Sequence, residues 1–253
     1  LERNVKLLHE INMGGTAIGT GLNAVPGFAK LCAANLSKLT GEPFVSATDL
    51  VEATPDTGAY VSYSSALKRL AIKLSKICND LRLMASGPRC GLNEINLPPK
   101  APGSSIMPGK VNPVIPEVTN QVCFKVIGND TTISFAAEAG QLELNVMEPV
   151  ITESLFESLV WLSNAIDTLV EECVLGITVN KERCYEMVKN SIGIVTALNP
   201  YIGYKTCTKV AKEALDTNRS VYDIVLEQGL MTQEKLDEAL NPKNMLVSHK
   251  FLK

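Results

Sequence analysis

Two hydroxyls and one ammonium crowd into a single short run, Gly103-Ser104-Ser105-Ile106-Met107-Pro108-Gly109-Lys110-Val111-Asn112-Pro113. Gly103, Pro108 and Gly109 deny this run regular structure. Asn112 reads as a helix N-cap and Pro113 as the first helical residue, where a missing N–H costs nothing. The expectation is a mobile loop delivered onto a helix N-terminus. Free backbone N–H groups, the positive end of the helix dipole and the Lys110 ammonium then converge on one point, which suits an anionic substrate. The same features also describe a plain surface loop ahead of a capped helix.

Other chemistries are poorly supplied. The only histidines are His9 and His249, both near the ends, so neither a His-dependent triad nor a His-rich metal site is expected. A proton abstractor must then be another residue type or come from another chain. No metal-ligand cluster is visible and no cofactor is expected; activation by a divalent metal stays open. The run GGTAIGTG from Gly14 to Gly21 fits neither the Walker spacing nor G-x-G-x-x-G, and close packing of helices through small residues is the simpler role. A net charge of −3 without any basic run argues against a nucleic-acid partner. No apolar run reaches the ~20 residues of a membrane span. Seven cysteines without a CxxC pair read as buried thiols of a reducing compartment, and no signal-peptide pattern is seen, so the cytoplasm is the expected location.

The elements that would position the loop are helical. The chain opens as if inside a helix, with Leu1, Val5, Leu8 and Ile11 at helical spacing and no cap ahead of them, which reads as a piece of a longer chain. Residues 26–40 read as a helix stopped by Gly41. Tyr60, Tyr63, Leu67, Leu70, Leu74, Ile77, Leu81 and Met84 form a heptad stripe over 56–86, with Lys68, Arg69, Lys73, Lys76 and Arg82 off it. A helix from Pro113 to about Ala137 presents Ile115, Val118, Val122, Val126 or Ile127, and Phe135. It also carries so many polar groups that either one face is wet or a buried network satisfies them. A third long helix spans 147–175, with Leu155, Leu159, Leu162, Ile166, Leu169 and Cys173 in register and Pro149 in its first turn. After Gly176 the helical pieces shorten, and Ser220 and Thr232 open two of them in capping-box style. The expected fold class is all-α: an extended bundle of long helices (1–176, carrying the loop 103–112) followed by a small C-terminal helical domain (177–253).

The pattern Gly103-Ser104-x-x-Met107-x-x-Lys110-x-Asn112 resembles the signature of the fumarase/aspartase superfamily. INMGGTAIGTGLN, SKICNDLRLMASGPR, GLNEINLP and VTALNPYIGYK are similar to its class II fumarase and aspartase branch, so the resemblance covers essentially the whole chain. Just after the loop, PVIPEVTNQVCFKVIGNDTTISFAAEAGQLELNVMEPV looks like the aspartase side of that branch. The resemblance implies anti-elimination of ammonia from L-aspartate to give fumarate. It further implies a homotetramer whose central bundle of long helices forms active sites from three subunits. Ser104 is then the base, working as an alkoxide, and Ser105 binds substrate. Lys110 pairs with a substrate carboxylate, and Met107 contacts substrate or packs the closed loop. Asn112 has two compatible roles, cap and substrate contact. Glu117 matches a carboxylate that pairs with a histidine; an acid favoured near a helix N-terminus explains it equally well.

The resemblance also implies that an N-terminal domain and two of the three active-site segments precede residue 1, so that this stretch alone is expected to be inactive. Two other readings stay open. One is a class II fumarase, with water as the leaving group. The other is a non-catalytic helical assembly module.

Overall fold

The computed structural model of the chain describes residues 1–245, so His249 and the end of the 177–253 region lie outside the described residues. Two compact units divide the chain, Leu1–Thr178 and Val179–Lys253.

The opening differs from its apolar spacing. Helix α1 is only Glu2–Val5; the chain then tightens into a 3-10 turn, Lys6–His9, and extends as strand β1, Glu10–Ile11. No residue of this stretch is buried: Val5, Leu8 and Ile11 of the expected stripe are only half-covered and Leu1 is exposed, and a short helix does not extend without fuller tertiary support. β1 instead pairs in parallel with β2, Val45–Ser46. Between them α2, Phe28–Thr40, ends at Gly41 in the left-handed conformation at φ +79°. Asp49 caps the single-turn α3, Leu50–Ala53, by accepting from Val51 and Glu52 N–H. The glycine run closes onto this turn. A Cβ on Gly19 would lie 2.3 Å from the Leu50 carbonyl oxygen, so the run's role is close backbone passage over a short helix, not contact between long ones.

Three long helices dominate the first unit: α4, Gly58–Met84, α5, Val114–Glu138, and α6, Glu148–Glu172. At 1.5 Å per residue each spans about 40 Å. α5 packs against both of the others. Leu67, Ala71, Val126, Ile133, Ile151, Leu155 and Leu162 form the shared core. On α6 the expected stripe is the buried one, through Leu155, Leu162, Leu169 and Cys173.

On α4 the buried line is Ser64, Leu67, Ala71, Ser75, Cys78 and Leu81, whereas Tyr60 and Ile77 are exposed. Small residues face α5 because they let the two backbones approach; the larger stripe residues flank that seam. α5 departs further. Val118 and Phe135 face outward, and the buried face includes Thr119, Asn120, Asn129 and Asp130.

A buried network satisfies those polar groups. Asn120 Nδ2 donates to the Ser75 carbonyl (3.0 Å) and Oγ (2.9 Å), and Arg82 donates to Asn120 Oδ1 (3.3 Å). Asp130 accepts from Ser64 Oγ and pairs with Lys68. Asn129 donates to Glu157 (2.8 Å) and Ser158 Oγ (3.0 Å). Such bonds are directional, so they set the register of α5 on its neighbours in a way that apolar packing alone would not.

In the second unit α7 is Lys181–Lys189, and a 3-10 stretch, Ile192–Leu198, leads into α8, Asn199–Ile202. α9 (Tyr204–Thr217), α10 (Val221–Glu227), α11 (Gln233–Ala239) and α12 (Pro242–Met245) follow. Ser220 and Thr232 accept from the Asp223 and Lys235 N–H groups, as their capping sequences require. Leu198, Val210, Val221, Ile224, Val225 and Leu236 close a separate core.

Candidate active site

The run 103–112 is a loop closed at its own neck. Gly103 N–H donates to the Lys110 carbonyl at 2.8 Å, and Pro102 and Val111 form an antiparallel bridge. Asn112 Nδ2 donates to the Gly103 carbonyl at 3.0 Å. Gly103 has to be glycine here, because a Cβ would sit 2.6 Å from the Lys110 carbonyl oxygen. At the tip Gly109 adopts φ +77°, and Lys110 N–H donates back to the Met107 carbonyl at 3.2 Å.

This neck corrects the reading of Asn112. Its side chain does not cap the following helix; Pro113 occupies the cap position and α5 begins at Val114. The Asn112 amide ties the two strands of the neck together, and its carbonyl accepts from Val114 N–H at 2.9 Å. The helix start also offers fewer donors than expected. Pro113 and Pro116 have no N–H, and those of Val114 and Glu117 are bonded to the Asn112 and Pro113 carbonyls.

The converging donors come from the loop itself. Ser104 Oγ accepts from Ile106 N–H at 3.1 Å and Met107 N–H at 3.2 Å. Two donors on one hydroxyl oxygen favour its deprotonated form, because hydrogen bonds to the charged state stabilise it. Ser104 is half-buried, whereas Ser105, Met107 and Lys110 are exposed. A cleft of ≈ 590 Å³ opens beside the loop, lined by Ser104, Met107 and Lys110 together with the lead-in from Pro99 to Pro102. Ser105, Asn112 and Glu117 are not among its lining residues; Glu117 is half-buried in the first turn of α5.

Sequence reasoning passed over Lys100, which also lines the cleft and pairs with Glu172 near the end of α6. The available signal was one charge in an otherwise apolar, proline-rich lead-in. That lead-in is anchored. Ile95 of the two-residue strand β3, Ile95–Asn96, and Leu97 pack against the cluster of Cys78, Leu81, Leu169 and Cys173, and a Cβ on Gly176 would fall 2.4 Å from Pro98 Cγ. The loop therefore projects from a fixed base. Among the described residues no group of three or more His, Cys, Asp or Glu side chains is placed to hold a metal ion, and no helix is long and apolar enough to cross a membrane.

Comparison with known proteins covers both units. Residues 1–128 match the Lyase family, and residues 194–247 match the fumarase C C-terminus family. An aspartate ammonia-lyase of Helicobacter pylori is 61% identical over 246 residues, 97% of this chain and 53% of that protein. Its namesake from Pseudomonas aeruginosa is 59% identical over 95% of this chain and 51% of its own length; that from Escherichia coli K12 is 58% identical over 97% and 52%. Among solved structures, a Brucella melitensis fumarate lyase:delta crystallin bound to cobalt superposes with a TM-score of 0.91 at 48% identity, covering 97% of this chain and 53% of that one. A class II fumarase of Schistosoma mansoni gives 0.89 at 34% identity, covering 98% and 55%. The chain thus spans about half the length of the curated relatives it matches.

Proposed function

The chain belongs to the lyase family that its residues 1–128 match, and from that membership we propose that it is the loop-bearing part of an aspartate ammonia-lyase, converting L-aspartate to fumarate and ammonia. The observation that carries the proposal is Ser104 Oγ held under two backbone N–H groups at the wall of a cleft that also bears Lys110.

In this reaction the Ser104 alkoxide takes the proton from the carbon beside the β-carboxylate. The electron pair left behind passes through an aci-carboxylate dianion and becomes the carbon–carbon double bond as the carbon–nitrogen bond breaks and ammonia departs. Each unit by which the serine pKa is lowered needs about 1.4 kcal/mol of preferential stabilisation of the alkoxide. The Ile106 and Met107 N–H groups supply part of it. Lys110 meets a carboxylate of the substrate as a point charge. Ser105, exposed at the loop, and Met107 contact the substrate once the loop folds over it. Asn112 acts through the neck and keeps Ser104 and Lys110 in register. Glu117 supports the site from the first turn of α5, paired with a histidine from outside this chain. No cofactor takes part.

The assembled form is a homotetramer. Support for self-association comes from the outward face of α5. Val118, Phe124, Gly128 and Phe135 share that face, with Phe124 58% and Phe135 70% exposed. Gly128 weakens the middle of a helix by about 1 kcal/mol relative to alanine, and a Cβ there would meet nothing within 4 Å in this chain. A second helix passing closely at that point would give the glycine its reason. The seven free thiols agree with a cytoplasmic location.

The test follows fumarate absorbance with this chain and with the full-length enzyme, offering L-aspartate and then L-malate. Turnover of aspartate by the full-length enzyme supports the proposal. Turnover of malate alone makes the protein a fumarase, and silence of the full-length enzyme on both leaves an assembly module.

A further inference from the structure

We infer that the C-terminal unit carries a binding site for a small zwitterion with an apolar body, an α-amino acid with an aliphatic or aromatic side chain. A cavity of ≈ 570 Å³ lies among α7, α10, α11 and α12, a volume typical of small-molecule sites. Ile194 and Leu240 line it and also belong to, or pack on, the core of the unit, so that part of its wall is fixed. At its rim Tyr185 and Val188 are 62% and 40% exposed, apolar surface that a bound ligand would take out of water.

Among the described lining residues there is one cation, Lys189, and one carboxylate, Asp237. Tyr222 stands between them. Its phenol donates to Asp237 Oδ1 at 2.7 Å, and the Lys189 ammonium lies 5.8 Å from its ring centroid. The bond to Asp237, with burial and the carboxylate's charge adding to it, raises the phenol's pKa, so the group remains a donor. These contacts hold two opposite charges at separate points of one cavity. A lining that sums to zero charge disfavours a dianion, and two fixed charges of opposite sign favour a dipolar guest over a neutral hydrocarbon. An ammonium reaches Asp237, whose carboxylate accepts more than one hydrogen bond. A carboxylate reaches Lys189, and the side chain covers the apolar wall.

Calorimetric titration of the intact chain with L-leucine, L-phenylalanine, isocaproate (no amine) and isoamylamine (no carboxylate) tests this. At least one amino acid should saturate a single site, and L-leucine should bind about tenfold tighter than either analogue of its own body. Lys189→Gln should weaken L-leucine and isocaproate and leave isoamylamine unchanged; Asp237→Asn should weaken L-leucine and isoamylamine and leave isocaproate unchanged. Both side chains are exposed, so the variants should keep the parent's thermal unfolding curve. Absence of saturable binding by both amino acids, analogues that bind as tightly as L-leucine, or binding indifferent to both substitutions would each overturn the inference.

Discussion

At the residue scale the loop rests on a few contacts that point mutations can separate. Ser104→Ala in the complete enzyme should abolish fumarate formation while leaving substrate affinity and assembly nearly intact; activity that survives would remove Ser104 as the base. Lys110→Ala should raise KM strongly as well as lowering kcat, and an unchanged KM would count against its pairing with a carboxylate. Gly103→Ala is the more geometric test. The added Cβ meets the Lys110 carbonyl at 2.6 Å, where only backbone can yield, so the neck must open. We expect kcat to fall by about a hundredfold, the scale on which small displacements of catalytic groups act, with the thermal unfolding midpoint little changed. Near-normal kcat would show that the neck does not position Ser104.

At the element scale the polar seam of α5 is the feature to probe. Asn120 is 2% exposed and holds Ser75 and Arg82 together. Asn120→Ala removes the partner of the Ser75 hydroxyl, which is buried in the interface, and should lower stability by roughly 1–3 kcal/mol in urea unfolding. Gln121→Ala, one residue on and exposed, should stay within about 0.5 kcal/mol. Equal effects would mean that the seam contributes packing and no specific bonding. The seam also explains why the apolar pattern misplaces Tyr60 and Ile77 on α4 and Val118 and Phe135 on α5, all of which are exposed. On α4 and α5 the groups that face inward are small or hydrogen-bonded, and several large apolar side chains face out.

At the scale of the whole molecule two expectations concern assembly and pH. Gly128→Leu fills the open point on the outward face of α5 and should dissociate the proposed homotetramer of the complete enzyme, read by light scattering during gel filtration; an unaltered mass would exclude close packing at that face. Alkaline pH should destabilise the fold through its buried thiols. Burial, reinforced by neighbouring Cys123 and Cys173, pushes Cys78 up to about 11 from 9.0. Between those values the unfolded chain has lost a proton that the folded chain keeps. This stabilisation is therefore complete below about pH 9 and disappears as pH rises through about 11. Urea midpoints measured across that range should decline, and Cys78→Ala should flatten the decline; parallel slopes for parent and variant would refute the assignment.

Much of this protein was legible in its sequence because the signals are local. Helix periodicity in α4 to α6, the Gly41 stop, the Ser220 and Thr232 caps and the Gly103-to-Asn112 motif each depend on a few neighbouring residues. What the tertiary structure alone decided are relations between residues far apart in the chain. The face of α5 that is buried follows from partners 45 residues away, as with Asn120 and Ser75. Asn112 spends its amide on the loop neck because Gly103 folds back to meet it. Lys100 reaches the cleft because α6 ends beside it. A side chain's choice between solvent, cap and partner is an energy difference between places, and only the folded chain brings those places into competition.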